Sequence, residues 1–177
     1  MGITGALVAM GEVHIDNPIQ IYLVQHGESV AKEIDPDRPL SERGRIDVAR
    51  IAEFLKNAGV TVDKILHSGK ARARQTAEIF AVTLSKSRVL VAISGIDPND
   101  PVDQLIEQIN MWTENTLVAG HLPFMAKLVA KLLLGNAAPV VTVYQPGSVV
   151  CLAKDEDGHW RIQWMLRPEL FKTKINN

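Results

Sequence analysis

Short β-rich apolar runs alternate with amphipathic helical stripes along almost the whole chain, and that order leaves few architectures open. Ile19–Gln25 (IQIYLVQ) reads as a buried strand. Ser41 is a candidate N-cap for a helix reaching about Asn57, in which Val48, Ile51, Ala52 and Leu55 fall at i, i+3, i+4 and i+7; Gly59 ends it. Asp63–His67 is a second strand, Lys70 to about Ser85 a second helix, and Arg88–Ile93 a third strand. After a loop over Gly95–Pro101, Pro101 opens a helix to about Trp112, where its missing N–H costs nothing. Asn115–Ala119 is a fourth strand, and Pro123 opens a helix with Met125, Leu128, Val129 and Leu132 as its stripe. Two or three strands close the chain: Val140–Tyr144, Ser148–Ala153 and Trp160–Leu166. Asp157-Gly158 is a hairpin turn, and Trp160, Ile162, Trp164 and Leu166 are expected on one face of the last strand. This alternation predicts a three-layer α/β/α sandwich with a mostly parallel sheet and antiparallel edge strands.

A length of 177 residues suits one domain with its own core, expected over residues 18–177, preceded by a flexible N-terminal extension over 1–17. The stretch Met1–Met10 lacks the Lys or Arg that starts a secretory signal, and Met10 is an alternative start. A formal net charge of −1 supplies no overall field for nucleic acid or an anionic membrane, and no apolar run reaches a spanning length. The single cysteine, Cys151, leaves no partner for an intrachain disulfide and fits a reducing, cytoplasmic setting; within its apolar strand it is an inert thiol. Nothing in the sequence sets an oligomeric state.

In open α/β sheets, ligands bind beyond the carboxyl ends of the strands. Residues just past strand one are His26, Gly27 and Glu28; past strand two come His67, Ser68 and Gly69; past strand four, Gly120 and His121. Two of these exits pair an imidazole with a glycine, which allows a sharp reversal and close backbone approach to a ligand. Arg72 lies in the first turn of the second helix, whose N-terminus offers free N–H groups to an anion; Arg74 points to a different helix face. Two histidines, an arginine and a helix N-terminus suit a tetrahedral dianion such as phosphate.

Four ordered blocks carry a family likeness: LVQHGES (Leu23–Ser29), RPLSERG (Arg38–Gly44), HSGKARARQTAEI (His67–Ile79) and VAGHLPF (Val118–Phe124). Together they resemble the histidine phosphatase superfamily, and in length and detail its phosphohistidine phosphatase branch, the SixA type. The resemblance implies a phosphoglycerate mutase-like fold and a phosphatase working through a phosphohistidine enzyme intermediate, without metal or other cofactor. It implies His26 as nucleophile, Arg72 and Arg38 as phosphate ligands, and His121 as the second histidine contacting the phosphoryl group. Gly27, beside the nucleophile, joins the phosphate-binding set. The substrate class implied is a phosphohistidine protein or a small phosphorylated molecule. A neutral His26 needs its other ring nitrogen to donate a fixed hydrogen bond; the backbone near Gly27 or Ser41 is the candidate acceptor.

Two departures stand out. Gln25 occupies the place of the motif arginine, which keeps a phosphate contact but removes a charge. That loss corresponds to roughly ten- to a hundred-fold in phosphate-site strength, and it opens an alternative: a phosphate- or phosphoprotein-binding module with weak or no turnover. The loop Ser94–Asp100 also lacks the glutamate that serves as leaving-group acid in the mutase branch. Asp100, before the helix-opening Pro101, is the first candidate for that role, Asp97 the second and Glu28 a weaker third.

Overall fold

The structure, a computed structural model, describes residues 18–87 and 89–171. The expected extension over 1–17, Arg88 and the last six residues lie outside it.

A six-stranded sheet is ordered β3-β2-β4-β1-β5-β6. The strands are β1 (Gln20–Gln25), β2 (Lys64–His67), β3 (Leu90–Ala92), β4 (Thr116–Gly120), β5 (Val149–Lys154) and β6 (Trp160–Leu166). β1 to β4 run parallel, and β5 and β6 add an antiparallel hairpin beside β1. Four helices intervene: α1 (Glu42–Asn57), α2 (Ala71–Leu84), α3 (Asp103–Ile109) and α4 (Phe124–Leu134). No helix among the described residues is long and apolar enough to cross a membrane.

The strand pleat divides the core in two. Tyr22 and Val24 of β1 pack with Val48, Ile51, Ala52 and Leu55 of α1 and with Ala77, Phe80 and Leu84 of α2. Ile21 and Leu23 face Leu105 and Ile109 of α3 and Phe124, Met125, Leu128 and Val129 of α4. Both faces of the central strands are therefore covered, as a parallel sheet requires. The α1 stripe is the one its spacing predicts. Ser41 caps that helix by accepting from Gly44 N at 3.0 Å.

Three expectations are corrected. Val140–Tyr144 is not a strand: both sides of β5 are taken by β1 and β6, and the segment is an irregular connection from α4 to β5. Its alternation survives, with Thr142 and Tyr144 buried, Val140 and Val143 exposed, and Tyr144 Oη donating to Leu23 O at 3.2 Å. The last strand does not keep its apolar residues on one face. Ala153 pairs Arg161 and Leu152 pairs Ile162, but Cys151 pairs Trp164, so Gln163 is an extra, bulged residue. Trp160 thus joins the α3/α4 side of the core, whereas Trp164 and Leu166 join the α1/α2 side. Finally, β3 and α3 are shorter than their apolar runs, and α3 stops at Ile109.

One close approach fixes where β1 delivers its exit loop. Ser41 N donates to Glu28 O, and a Cβ on Gly44 would fall on the Glu28 backbone. Replacing glycine by alanine inside a helix ordinarily gains about 1 kcal/mol. For Gly44→Ala the expected sign is reversed, with a loss of about 3 kcal/mol as loop and helix are forced apart. The midpoint of urea denaturation checks this; an unchanged or higher midpoint contradicts the close packing.

Candidate active site

Three adjacent parallel strands, β2, β4 and β1, end at the same edge of the sheet. The β1–β4 ladder continues one step past the strand, with His26 N donating to Gly120 O at 3.0 Å. His26 and His121 leave neighbouring strands as a pair, with ring centroids 5.0 Å apart and planes inclined by 60°. The third exit brings Ser68, whose Oγ lies 2.6 Å from His121 Nε2.

His26 is held from both sides. Its Nδ1 lies 2.7 Å from Gly27 O, and a carbonyl can only accept, so Nδ1 carries the proton. Its Nε2 accepts from Arg72 Nε at 3.1 Å. The two contacts agree on one neutral tautomer with the lone pair on Nε2. Of the two backbone acceptors open from sequence, Gly27 is the one used.

Burial pushes the His26 pKa down to about 4; the positive charges of Arg72 and Arg38 push the same way, against the bond to Gly27. Burial pushes His121 down to about 3, helped by the charges of His26, Arg72 and Lys70. Burial also lowers Arg72, with the nearby Arg38 charge adding to the effect and Asp97 opposing it. Both imidazoles are therefore neutral at ordinary pH beside guanidinium groups that carry the charge.

Gly27 and Thr76 lock the His26 turn to α2. Thr76 Oγ1 accepts from Gly27 N at 3.0 Å and donates to Arg72 O at 2.7 Å. A Cβ on Gly27 would sit 2.8 Å from Val48 Cγ2, so the turn lies flat on α1. Arg38 reaches the site from the loop before α1, with Nη2 at 3.3 Å from Ser29 Oγ. Its φ of 51° is in the left-handed region, a conformation that costs about 1–3 kcal/mol for such a residue and is concentrated at functional sites. The loop is pinned to α2 by Leu40 N donating to Gln75 Oε1 at 2.8 Å.

The other candidates are placed as follows. Gln25 is buried, and its Oε1 has no hydrogen-bond partner among the described residues. Asp100 does not join the constellation: its Oδ2 accepts from Asp97 N at 2.8 Å and closes its own loop. Asp97 is the carboxylate turned toward the site, paired with Lys70 Nζ at 3.1 Å and acting on both Arg72 and His121. Glu28 is drawn off to Ser41 Oγ, at 2.8 Å. His67 is buried apart from the pair and accepts from Gly69 N. Arg74 pairs with Glu78 one turn along α2. Sequence reasoning left out Ser68, Thr76 and the Lys70–Asp97 pair; Ser68, next to His67 at a strand exit, was the one with a positional signal.

The family model of the histidine phosphatase superfamily, branch 1, matches residues 21–92, from β1 through β3. Phosphohistidine phosphatase SixA of Escherichia coli K12 is 27% identical over 155 residues, covering 85% of this chain and 94% of its own. Both likenesses point to the histidine phosphatase superfamily. Among solved structures, the protein histidine phosphatase SixA complexed with tungstate superposes with a TM-score of 0.77 at 24% identity, over 87% of this chain and all of the other. This shows the shared fold. The Yersinia pestis (strain Pestoides F) protein called "Probable phosphoglycerate mutase GpmB" is 32% identical over 104 residues, but the chain spans only 47% of its length. These relatives support phosphatase activity for the chain.

The depressed pKa values give a pH signature with a definite sign. Between about 6.5 and 4 the unfolded chain binds a proton at residue 26 that the folded one refuses, so this contribution to stability is full above 6.5 and is lost as pH falls through about 4. An NMR titration should find the His26 imidazole still neutral at pH 5. A midpoint near 6.5 contradicts the buried, guanidinium-flanked environment.

Proposed function

We propose that the protein is a metal-independent phosphatase that passes the phosphoryl group through His26, with phosphohistidine in a protein as its best substrate. The observation that carries this reading is the neutral His26 ring, whose Nε2 lone pair is selected by Gly27 O and faces the Arg72 guanidinium. A nucleophile of this kind needs no metal to lower its pKa at neutral pH.

In the first step Nε2 of His26 attacks phosphorus and the bond to the leaving group breaks. The incoming phosphoryl group takes the place of the Arg72 Nε contact, so Arg72 transfers its donors to the equatorial oxygens. Arg38, His121 and the Gln25 amide N–H complete the cradle, with Gly27 keeping the turn close. Such aligned donors stabilise the charge spread over those oxygens. In the second step water attacks the N–P bond, inorganic phosphate leaves and neutral His26 returns. Asp97 is the carboxylate best placed to manage the leaving-group proton, and Asp100 holds its loop. A protonated phosphohistidine expels neutral imidazole, a far better leaving group than an alkoxide, so the weak acid supply favours that substrate over sugar phosphates.

The known relatives support this reading, since SixA is named for action on phosphohistidine. The mutase alternative is disfavoured by the short loop between Gly27 and Ser41, which leaves little room for a substrate cap. The group of Asp155, Asp157 and His159, the described cluster with metal-ligand spacing, sits on the β5–β6 turn. Since Ala153 pairs with Gln20 at the start of β1, that turn lies at the opposite edge of the sheet from His26.

A phosphatase assay with a phosphohistidine peptide and a sugar phosphate, both with chelator present, tests the proposal. The wild type should turn over the peptide faster than the sugar phosphate, His26→Ala should be inactive, and Gln25→Arg should gain roughly ten-fold or more by restoring a charge-assisted phosphate contact. Loss of turnover on chelation, or faster cleavage of the sugar phosphate, overturns the scheme.

A further inference from the structure

The phosphoryl pocket opens into a cleft much larger than one phosphate. Its volume is about 580 Å³, and its lining includes Lys32, Asp37, Arg38, Lys70, Arg72 and Arg74. That volume is in the range that holds a molecule the size of a drug or several peptide side chains.

The charge of the lining is one-sided, with five cations against the single carboxylate of Asp37. This contrasts with a whole-chain net charge of −1, so the cleft concentrates a field that the rest of the surface does not have. Arg72 and Arg38 serve the phosphoryl group, and Lys70 is paired with Asp97. Two cations are left over at the rim. Lys32 is exposed and has no carboxylate partner among the described residues, and Arg74 is half-exposed with only the i+4 partner Glu78. Nothing in the lining is aromatic, so there is no platform on which a nucleobase would stack. Beside Lys32 the same loop leaves Ile34 78% exposed, an apolar contact for a macromolecular partner rather than for a small anion.

We infer that this cleft docks an acidic segment of a phosphorylated protein, with carboxylates flanking the phosphorylated residue seated on Lys32 and Arg74. The inference rests on the phosphatase reading and adds a sequence preference to it. Exposed ion pairs of this kind act additively and weakly, and they are screened by salt. The preference is therefore modest and belongs in KM rather than kcat.

Two phosphohistidine peptides, identical except for Glu or Gln at the flanking positions, test it alongside para-nitrophenyl phosphate, which has no flanks. Wild type should favour the Glu peptide by about five- to ten-fold in kcat/KM at low ionic strength, and added salt should shrink that ratio. In the Lys32→Glu/Arg74→Glu double variant the ratio should fall to one or invert, with para-nitrophenyl phosphate turned over as before. Equal rates for the two peptides in wild type, or a preference that survives the double variant, overturn the inference. Faster cleavage of a doubly phosphorylated small molecule than of the Glu peptide also overturns it, since the second anion would then be metabolite-borne. Should none of the compounds be turned over, the phosphatase reading fails instead. The docking inference is then still decided by fluorescence anisotropy of the same two peptides: tighter binding of the Glu form supports it and equal binding overturns it.

Discussion

The site depends on how one imidazole is held. Gly27 O takes the proton of His26 Nδ1, and Arg72 Nε donates to Nε2. The first contact sets the tautomer, and the second places the cationic donor on the lone pair that reacts in the proposed scheme. Most of the surrounding structure serves these two bonds. Gly44 lets α1 press against the Glu28 backbone. Thr76 ties Gly27 N to the carbonyl of Arg72 itself, so the His26 turn and the Arg72 backbone are anchored through a single hydroxyl. The sheet then adds His121 and Ser68 from the next two strand ends.

The electrostatic design follows from burial. Two histidines next to two arginines would repel if protonated, and desolvation removes that option by holding both rings neutral. All of the positive charge resides on groups that do not titrate near neutrality. Such a site offers a cationic field and an uncharged imidazole together, a combination that a solvated histidine near its ordinary pKa provides only in part. Gln25 brings no charge to this edge of the sheet, and its buried Oε1 has no hydrogen-bond partner among the described residues. The strained backbone of Arg38 directs a second guanidinium toward the same cavity.

The layer order and the α1 stripe were legible in the sequence because periods of two and 3.6 are properties of local spacing. So were the two His-Gly exits, since ligands gather at the ends of parallel strands. What could not be read depends on neighbours. Val140–Tyr144 alternates like a strand, but the edge of β5, the strand it leads into, is already filled by β1 and β6. The bulge at Gln163 reverses the faces of Trp160 and Trp164 without any sign in composition. Along the chain Asp100 ranks ahead of Asp97 because it precedes Pro101, and only the folded loop shows that Asp100 bonds back to Asp97 N while Asp97 turns to Lys70. Ser68 meets His121 across 53 residues, through a strand register that sequence does not display.

The account stands on which nitrogen of which histidine accepts the phosphoryl group. Rapid quenching under alkaline conditions, followed by peptide mass spectrometry and chromatographic separation of the two phosphohistidine isomers, reads this directly. The account predicts a transient phosphate on Nε2 of His26. Phosphate found on Nδ1 of that ring, or on another residue while His26 stays unmodified, would contradict it.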